Sequence, residues 1–336
     1  MNNKQKKRVK DIQKSKILVI AIIIIAIVCG ISIYTLCKSR ETDIAIYNED
    51  ITQEETVSQD KTRLEQETIR LEQDQKDDSK NTDEAQMMTI YDIEEGYIRV
   101  PYIPELEHHN YDWKYLNEEN GYKYYEDNSN NINTPNNRSK IGIDVSKYQG
   151  DIDYKQVKES GIEFVIIRMG YRGYGNGKLV VDEYYYQNVE KALEVGLEVG
   201  VYIFSQAINV DEAIEEANFV YDNIKDYDIT YPVVFDTEEI KFDDARTDDL
   251  TVPELTNITI AFCERIKKLG YKPMIYANAK WLTTKLDLTK LQEYDIWYAD
   301  YQEEPIYPYQ FHMWQYTDEG RVPGIDGYVD LNISFE

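Results

Sequence analysis

Cysteine is scarce in this chain of 336 residues: there are three, Cys29, Cys37 and Cys263. Two sit within one apolar run and the third stands alone. The globular part therefore has no disulfide framework and no cysteine metal cluster. Histidine is equally sparse. His108, His109 and His312 are the only three, which argues against a multi-histidine zinc site. Net positive charge is missing as well. Lys and Arg number 37 against 63 Asp and Glu, a formal net charge of −26. Nucleic acid is excluded as a partner on that ground, because neutralising phosphates takes clustered cations. A nucleotide loop is also wanting. The run Gly170-Tyr-Arg-Gly173-Tyr-Gly175-Asn-Gly177 lacks the G-x-G-x-x-G spacing into a helix. It reads as a loop at a cleft rim, and no cofactor or metal is expected.

What is abundant is tyrosine, 30 residues. Its flat apolar face and polar tip suit both cores and sugar-binding clefts. One long apolar run is present too. Ile17 to Cys37 holds no charged residue, and its length as a helix is roughly 31 Å, close to the hydrocarbon thickness of a bilayer. Lys4, Lys6, Lys7, Arg8, Lys10, Lys14 and Lys16 precede it. The positive-inside rule puts residues 1–16 in the cytoplasm, 17–37 across the membrane and 38–336 outside. The rival reading is a cleaved signal peptide, against which stand the length of the run and the lack of an A-x-A-like site. Residues 38–139 read as an extracellular stalk. Its first half, rich in Glu, Gln, Asp, Lys and Thr, cannot bury enough apolar surface to fold alone. From residue 87, Trp113, Pro101, Pro104 and several Tyr suggest a small packed extension. A turn-rich Asn stretch closes this part before residue 140.

Beyond it, short β-branched and aromatic runs alternate with amphipathic segments. Strands are expected at 141–145, 164–169, 199–204, 232–236, 273–277, 295–299, 313–316 and 329–333. Helices are expected at 154–160, 184–195, 210–223 and 255–269, with a short one near 288–292. Gly161, Gly196 and Gly270 fall where helix C-caps belong. This alternation implies an α/β domain with a largely parallel sheet. Eight strands in so few residues imply a compact, irregular (β/α)8-like barrel, shorter than the usual ~250 residues.

The sharpest chemical signal is Tyr231-Pro-Val-Val-Phe-Asp236-Thr-Glu238-Glu239. A strand ends in two carboxylates at i and i+2. Strand side chains alternate faces, so both point the same way, about 7 Å apart. Crowded carboxylates raise the pKa of at least one, and a retained proton is what a general acid needs. Helix N-capping would explain the same pair. Asp144 near the end of the first strand and Asp330 in the last add two more acids. Either alone reads as a turn former. Closing the sheet makes first and last strands neighbours, which would gather all four.

At this point the chain resembles a known family. Residues 141–336 are similar to the lysozymes of glycoside hydrolase family 25, through IGIDVSKYQGDID (141–153), FVIIRMGYRGYG (164–175), GVYIFSQA (200–207), YPVVFDTEE (231–239), GYKPMIYAN (270–278), IWYADY (296–301), MWQYT (313–317) and GYVDLNISF (327–335). The resemblance implies a flattened β/α barrel and cleavage of the β-1,4 bond between N-acetylmuramic acid and N-acetylglucosamine in peptidoglycan. It implies Glu238 as general acid with assistance from the substrate acetamido group, Asp236 as the group that orients or polarises that acetamide or holds the developing positive charge, and Asp144 and Asp330 as groups that tune the pKa values and hydrogen-bond the sugar. Thr237 stands where the family often has an apolar residue. Tyr148, Tyr202, Tyr276, Trp297 and Trp314 are candidates to stack on sugars, with Asp300 and Gln315 as polar contacts; core packing is the competing role for each aromatic. A non-catalytic tether between membrane and peptidoglycan is the alternative function.

Overall fold

The computed structural model describes residues 86–93, 95–127, 138–241 and 243–335. The membrane segment and the first half of the stalk inferred above lie outside them. Among the described residues no helix is long and apolar enough to cross a membrane.

Two antiparallel hairpins come first, β1 (Met87–Asp92) with β2 (Gly96–Pro101) and β3 (Leu116–Glu119) with β4 (Tyr122–Tyr125). The barrel strands follow: β5 (Lys140–Val145), β6 (Phe164–Arg172), β8 (Glu198–Phe204), β9 (Val233–Asp236), β10 (Pro273–Asn278), β11 (Asp295–Ala299), β12 (Met313–Gly320) and β13 (Val329–Ser334). A short β7 (Leu179–Val181) adds to β6 outside the ring. Around the ring the order is β5-β13-β12-β11-β10-β9-β8-β6, and β6 pairs with β5 to close it. The strand β6 reads FVIIRMGYR and is buried along most of its length on both faces, as strands covered by helices are.

Helices α1 (Tyr154–Glu159), α2 (Tyr185–Glu194), α3 (Val210–Ile224), α4 (Val252–Lys268) and α5 (Ala279–Thr284) serve the crossovers up to β11. The helix α4 starts earlier than the apolar pattern suggests, because Thr251 and Glu254 form a capping box and Pro253 occupies the first turn. The three expected C-cap glycines all have positive φ, 105° at Gly161, 73° at Gly196 and 90° at Gly270.

Two departures from the sequence-based reading matter. The last strand is antiparallel: β13 runs against both β12 and β5. Its start therefore lies at the mouth where the parallel strands end. The second departure is an arc without helices. No α-helix lies between β11 and β13, so the outer faces of β11 and β12 need another cover. Residues 102–125 supply it. Trp113 packs on Trp314 at 5.8 Å, and Tyr111 stacks on Phe335 at 4.0 Å. The Lys123 backbone N–H donates to the Tyr316 hydroxyl at 3.1 Å.

The barrel interior is filled by Phe164, Ile166, Val234, Met274, Tyr276, Trp297 and Met313, with Tyr202 packed against them. Gly142 has a physical reason to be glycine. A Cβ there would stand 2.3 Å from the Phe164 ring, so only a bare backbone lets that ring plug the floor beneath the mouth.

Candidate active site

Strand alternation sends Gly142 and Asp144 of β5, Val234 and Asp236 of β9, and Asp330 and Asn332 of β13 inward. Asp330 is directly opposite Asp144 in the β13–β5 register. In the ring, β9 and β13 are four strands apart out of eight. Asp236 and Asp330 therefore face each other across the mouth. The early, middle and late acids of the sequence share one hollow, and their charges reach one another: Asp144 helps raise the pKa of Asp236, and Glu238 helps raise that of Asp330.

The β5/β13 side is built around Asp144. Its Oδ2 accepts from Gln315 Nε2 at 2.9 Å and Asn332 Nδ2 at 2.8 Å. Each amide is itself held. Gln315 Oε1 accepts from the hydroxyls of Tyr276 at 2.9 Å and Tyr301 at 3.0 Å. Asn332 Oδ1 accepts from Trp297 Nε1 at 2.9 Å. These partners fix both amide orientations, because each oxygen faces a donor. Burial pushes the Asp144 carboxyl up to about 6, against the pull of its two amide donors. Burial and the Asp144 charge push Asp330 up to about 9. The facing carboxyls of Asp144 and Asp330 interact closely enough to titrate as a pair.

The β9 side differs. Asp236 is 5 % exposed, and its Oδ1 finds no hydrogen-bond partner among the described residues. Burial, and then the neighbouring Glu238, raise its pKa well above the carboxylate range; Arg168 of β6 opposes them. Arg168 is itself tied to Asp182 at 2.7 Å. The strand ends at Asp236, so alternation does not by itself orient Glu238. That residue is half-buried and lines a hollow of about 90 Å³ with Asn278, Lys280 and Trp281. Thr237 is buried beside it, accepting from Trp281 Nε1 at 3.2 Å.

The other candidates divide by face. Tyr202 and Tyr276 lie within the mouth, where burial keeps both hydroxyls neutral by raising their pKa values far above 10.0. Trp297 is 2 % exposed and meets the Tyr276 ring edge-on at 4.6 Å, with its Nε1 committed to Asn332. Trp314 and Asp300 require a correction. Trp314 follows Met313 and precedes Gln315, both inward, so it faces out of the barrel. It is fully buried under Trp113 and donates to the Asp300 carbonyl at 2.7 Å. The Asp300 carboxylate is buried on Tyr298, whose hydroxyl donates at 2.6 Å. Both residues build the wall instead of contacting sugar. Gln315 also acts inward through Asp144. Tyr148 is 77 % exposed, with the Arg168 guanidinium 5.1 Å from its ring centre.

Three site residues were not singled out from sequence: Asn332, Tyr301 and Arg168. The first was within reach, since it lies two residues beyond Asp330 on the same strand face. No group of His, Cys, Asp and Glu that could hold a metal ion occurs among the described residues.

Comparison with known proteins points the same way. The uncharacterized protein YegX of Escherichia coli K12 is 30% identical over 196 residues, 57% of this chain and 68% of that one. The autolytic lysozyme of Clostridium acetobutylicum is 25% identical over 192 residues, 57% of this chain and 54% of that one. The modular autolysin LytC of Streptococcus pneumoniae shares the fold, with a TM-score of 0.52 at 24% identity over 65% of this chain and 51% of that one. The chain thus spans about half the length of the last two relatives. The model of Glycosyl hydrolases family 25 matches residues 143–325, and with β5, β9 and β13 carrying acids into one barrel mouth, the chain belongs to that family.

Proposed function

We propose that this chain is a peptidoglycan hydrolase that cleaves the β-1,4 bond between N-acetylmuramic acid and N-acetylglucosamine. The observation that carries the reading is the meeting of Asp144 and Asp330 with the Asp236/Glu238 couple in one mouth. Kinship with an autolytic lysozyme supports the choice of substrate.

In this reading Glu238, the more accessible member of its couple, protonates the leaving glycosidic oxygen. The C1–O bond breaks as the substrate acetamido oxygen closes on C1, so the enzyme needs no nucleophile of its own. Asp236, relieved of its neighbour's proton competition, holds the acetamide and the positive charge that develops. Water then opens the ring intermediate, returning its proton to Glu238. Asp144 and Asp330 keep the far side of the mouth charged by no more than they can share. Tyr202 remains a neutral donor toward sugar oxygens, while Tyr276, whose proton is committed to Gln315, offers only its oxygen lone pairs. The segment 17–37 would hold the enzyme at the membrane, with the barrel on the wall side.

The test is digestion of purified cell walls, followed by borohydride reduction and sugar analysis. Reduced muramic acid should appear, and Glu238→Gln should cut the rate by about 100- to 10,000-fold with an unchanged Tm. Binding to walls without new reducing ends would indicate a tether instead. Reduced glucosamine would mean a different bond.

A further inference from the structure

The hairpin β1–β2 lies outside the residues matched by the family, 143–325, yet it reaches the mouth. Two contacts fix it there. Glu95, in its turn, pairs with Lys280 of α5 at 2.6 Å. The Tyr97 hydroxyl donates to Gln302 Oε1 at 3.4 Å. Helix α5 follows the C-terminal end of β10, and Gln302 follows that of β11. The hairpin therefore stands on the rim above β10 and β11. Lys280 also lies 3.8 Å from Glu239, the neighbour of Glu238.

Tyr97 is 68 % exposed and Tyr148 is 77 %, the two most exposed large apolar side chains among the described residues. Tyr148 follows β5, which is four strands from β10 in a ring of eight. The two rings thus stand on opposite arcs of the mouth. Tyr91 meets the Tyr97 ring edge-on at 5.4 Å. That contact and the bond to Gln302 restrain the ring while leaving most of the residue exposed to water. A pinned, solvent-facing aromatic ring beside a polar rim is the chemistry that takes the apolar face of a sugar.

We propose that the β1–β2 hairpin adds a glycan subsite to the cleft, in which Tyr97 stacks on a sugar several units from the bond cut beside Glu238. This rests on the muramidase reading for the identity of the strand. The hairpin would make the enzyme prefer long strands over short fragments.

The experiment uses the full chain and peptide-free peptidoglycan glycans, an octasaccharide and a tetrasaccharide. Binding is read by calorimetry in the cold, and cleavage by release of reducing ends. Tyr97→Ala should weaken octasaccharide binding, and raise its KM, by about two- to tenfold, with kcat unchanged and the tetrasaccharide unaffected. Tyr97→Phe should keep most of the affinity, since the ring remains. Equal octasaccharide affinity in wild type and Tyr97→Ala would overturn the subsite. So would a fall in kcat on both substrates, which would mark the hairpin as a prop only. A wild type that binds both glycans but cuts neither would refute the muramidase reading, while the length comparison in binding would still decide the subsite.

Discussion

The two halves of the mouth treat their acids differently. On the β5/β13 side, Asp144 accepts two amide hydrogen bonds, and each amide is anchored by aromatic donors. On the β9 side, Asp236 is just as buried, yet one of its oxygens has no partner among the described residues. An orphaned buried polar atom costs about 1–3 kcal/mol. A fold that leaves one carboxyl unsatisfied while satisfying its neighbour across the hollow is divided between scaffold and working group. In the proposed mechanism the β5/β13 acids set the field of the site, and Asp236 and Glu238 do the chemistry.

Asp236→Asn presses hardest on that division. It should lower kcat by about 100- to 10,000-fold, while Tm stays level or rises, because repulsion with Glu238 and Asp144 is removed. A large loss of Tm would place Asp236 with the scaffold. Gln315→Leu should act in the reverse sense. It strips Asp144 of a donor and leaves two tyrosine hydroxyls without their acceptor. About 1–3 kcal/mol of stability should go, with kcat reduced about tenfold, an effect readable by denaturant titration beside initial rates. Were kcat to fall as far as in Asp236→Asn, the two halves would not be distinct.

Asp330→Asn gives the most specific effect. The carboxyl is raised from 3.8 to about 9 in the folded chain. Between those values the folded state keeps a proton that the unfolded chain gives up. Stability therefore declines as pH rises through that window and levels off above it. The amide variant cannot lose that proton, so its Tm should vary less with pH between about 5 and 9. Parallel curves for wild type and variant would mean that Asp144 and Asp330 do not share a proton.

Most barrel strands were legible because β-branched and aromatic runs between turn residues are strong local signals. The meeting of Asp144 with Asp330 was legible too, since ring closure joins first and last strands. The antiparallel sense of β13 was not: strand direction depends on the crossover, and the loop from Gly320 to Val329 is simply too short for a helical one. Nor was the wall formed by Trp113 over Trp314, a contact between residues 201 apart in sequence. Adjacent Trp314 and Gln315 could never both face inward on a regular strand; strand alternation, applied to β12, already separates them. Glu238 is the harder case, because β9 stops two residues short of it and its direction is set by the loop, by α5 and by Trp281 holding Thr237.

The most direct test is a crystal structure of Glu238→Gln with a peptidoglycan glycan fragment bound across the mouth. The side chain at 238 should lie within about 2.6–3.2 Å of the scissile glycosidic oxygen, with Asp236 on the acetamido group of the adjoining sugar. A fragment seated elsewhere, or a scissile oxygen closer to Asp144 or Asp330 than to position 238, would contradict the division of labour between the two sides.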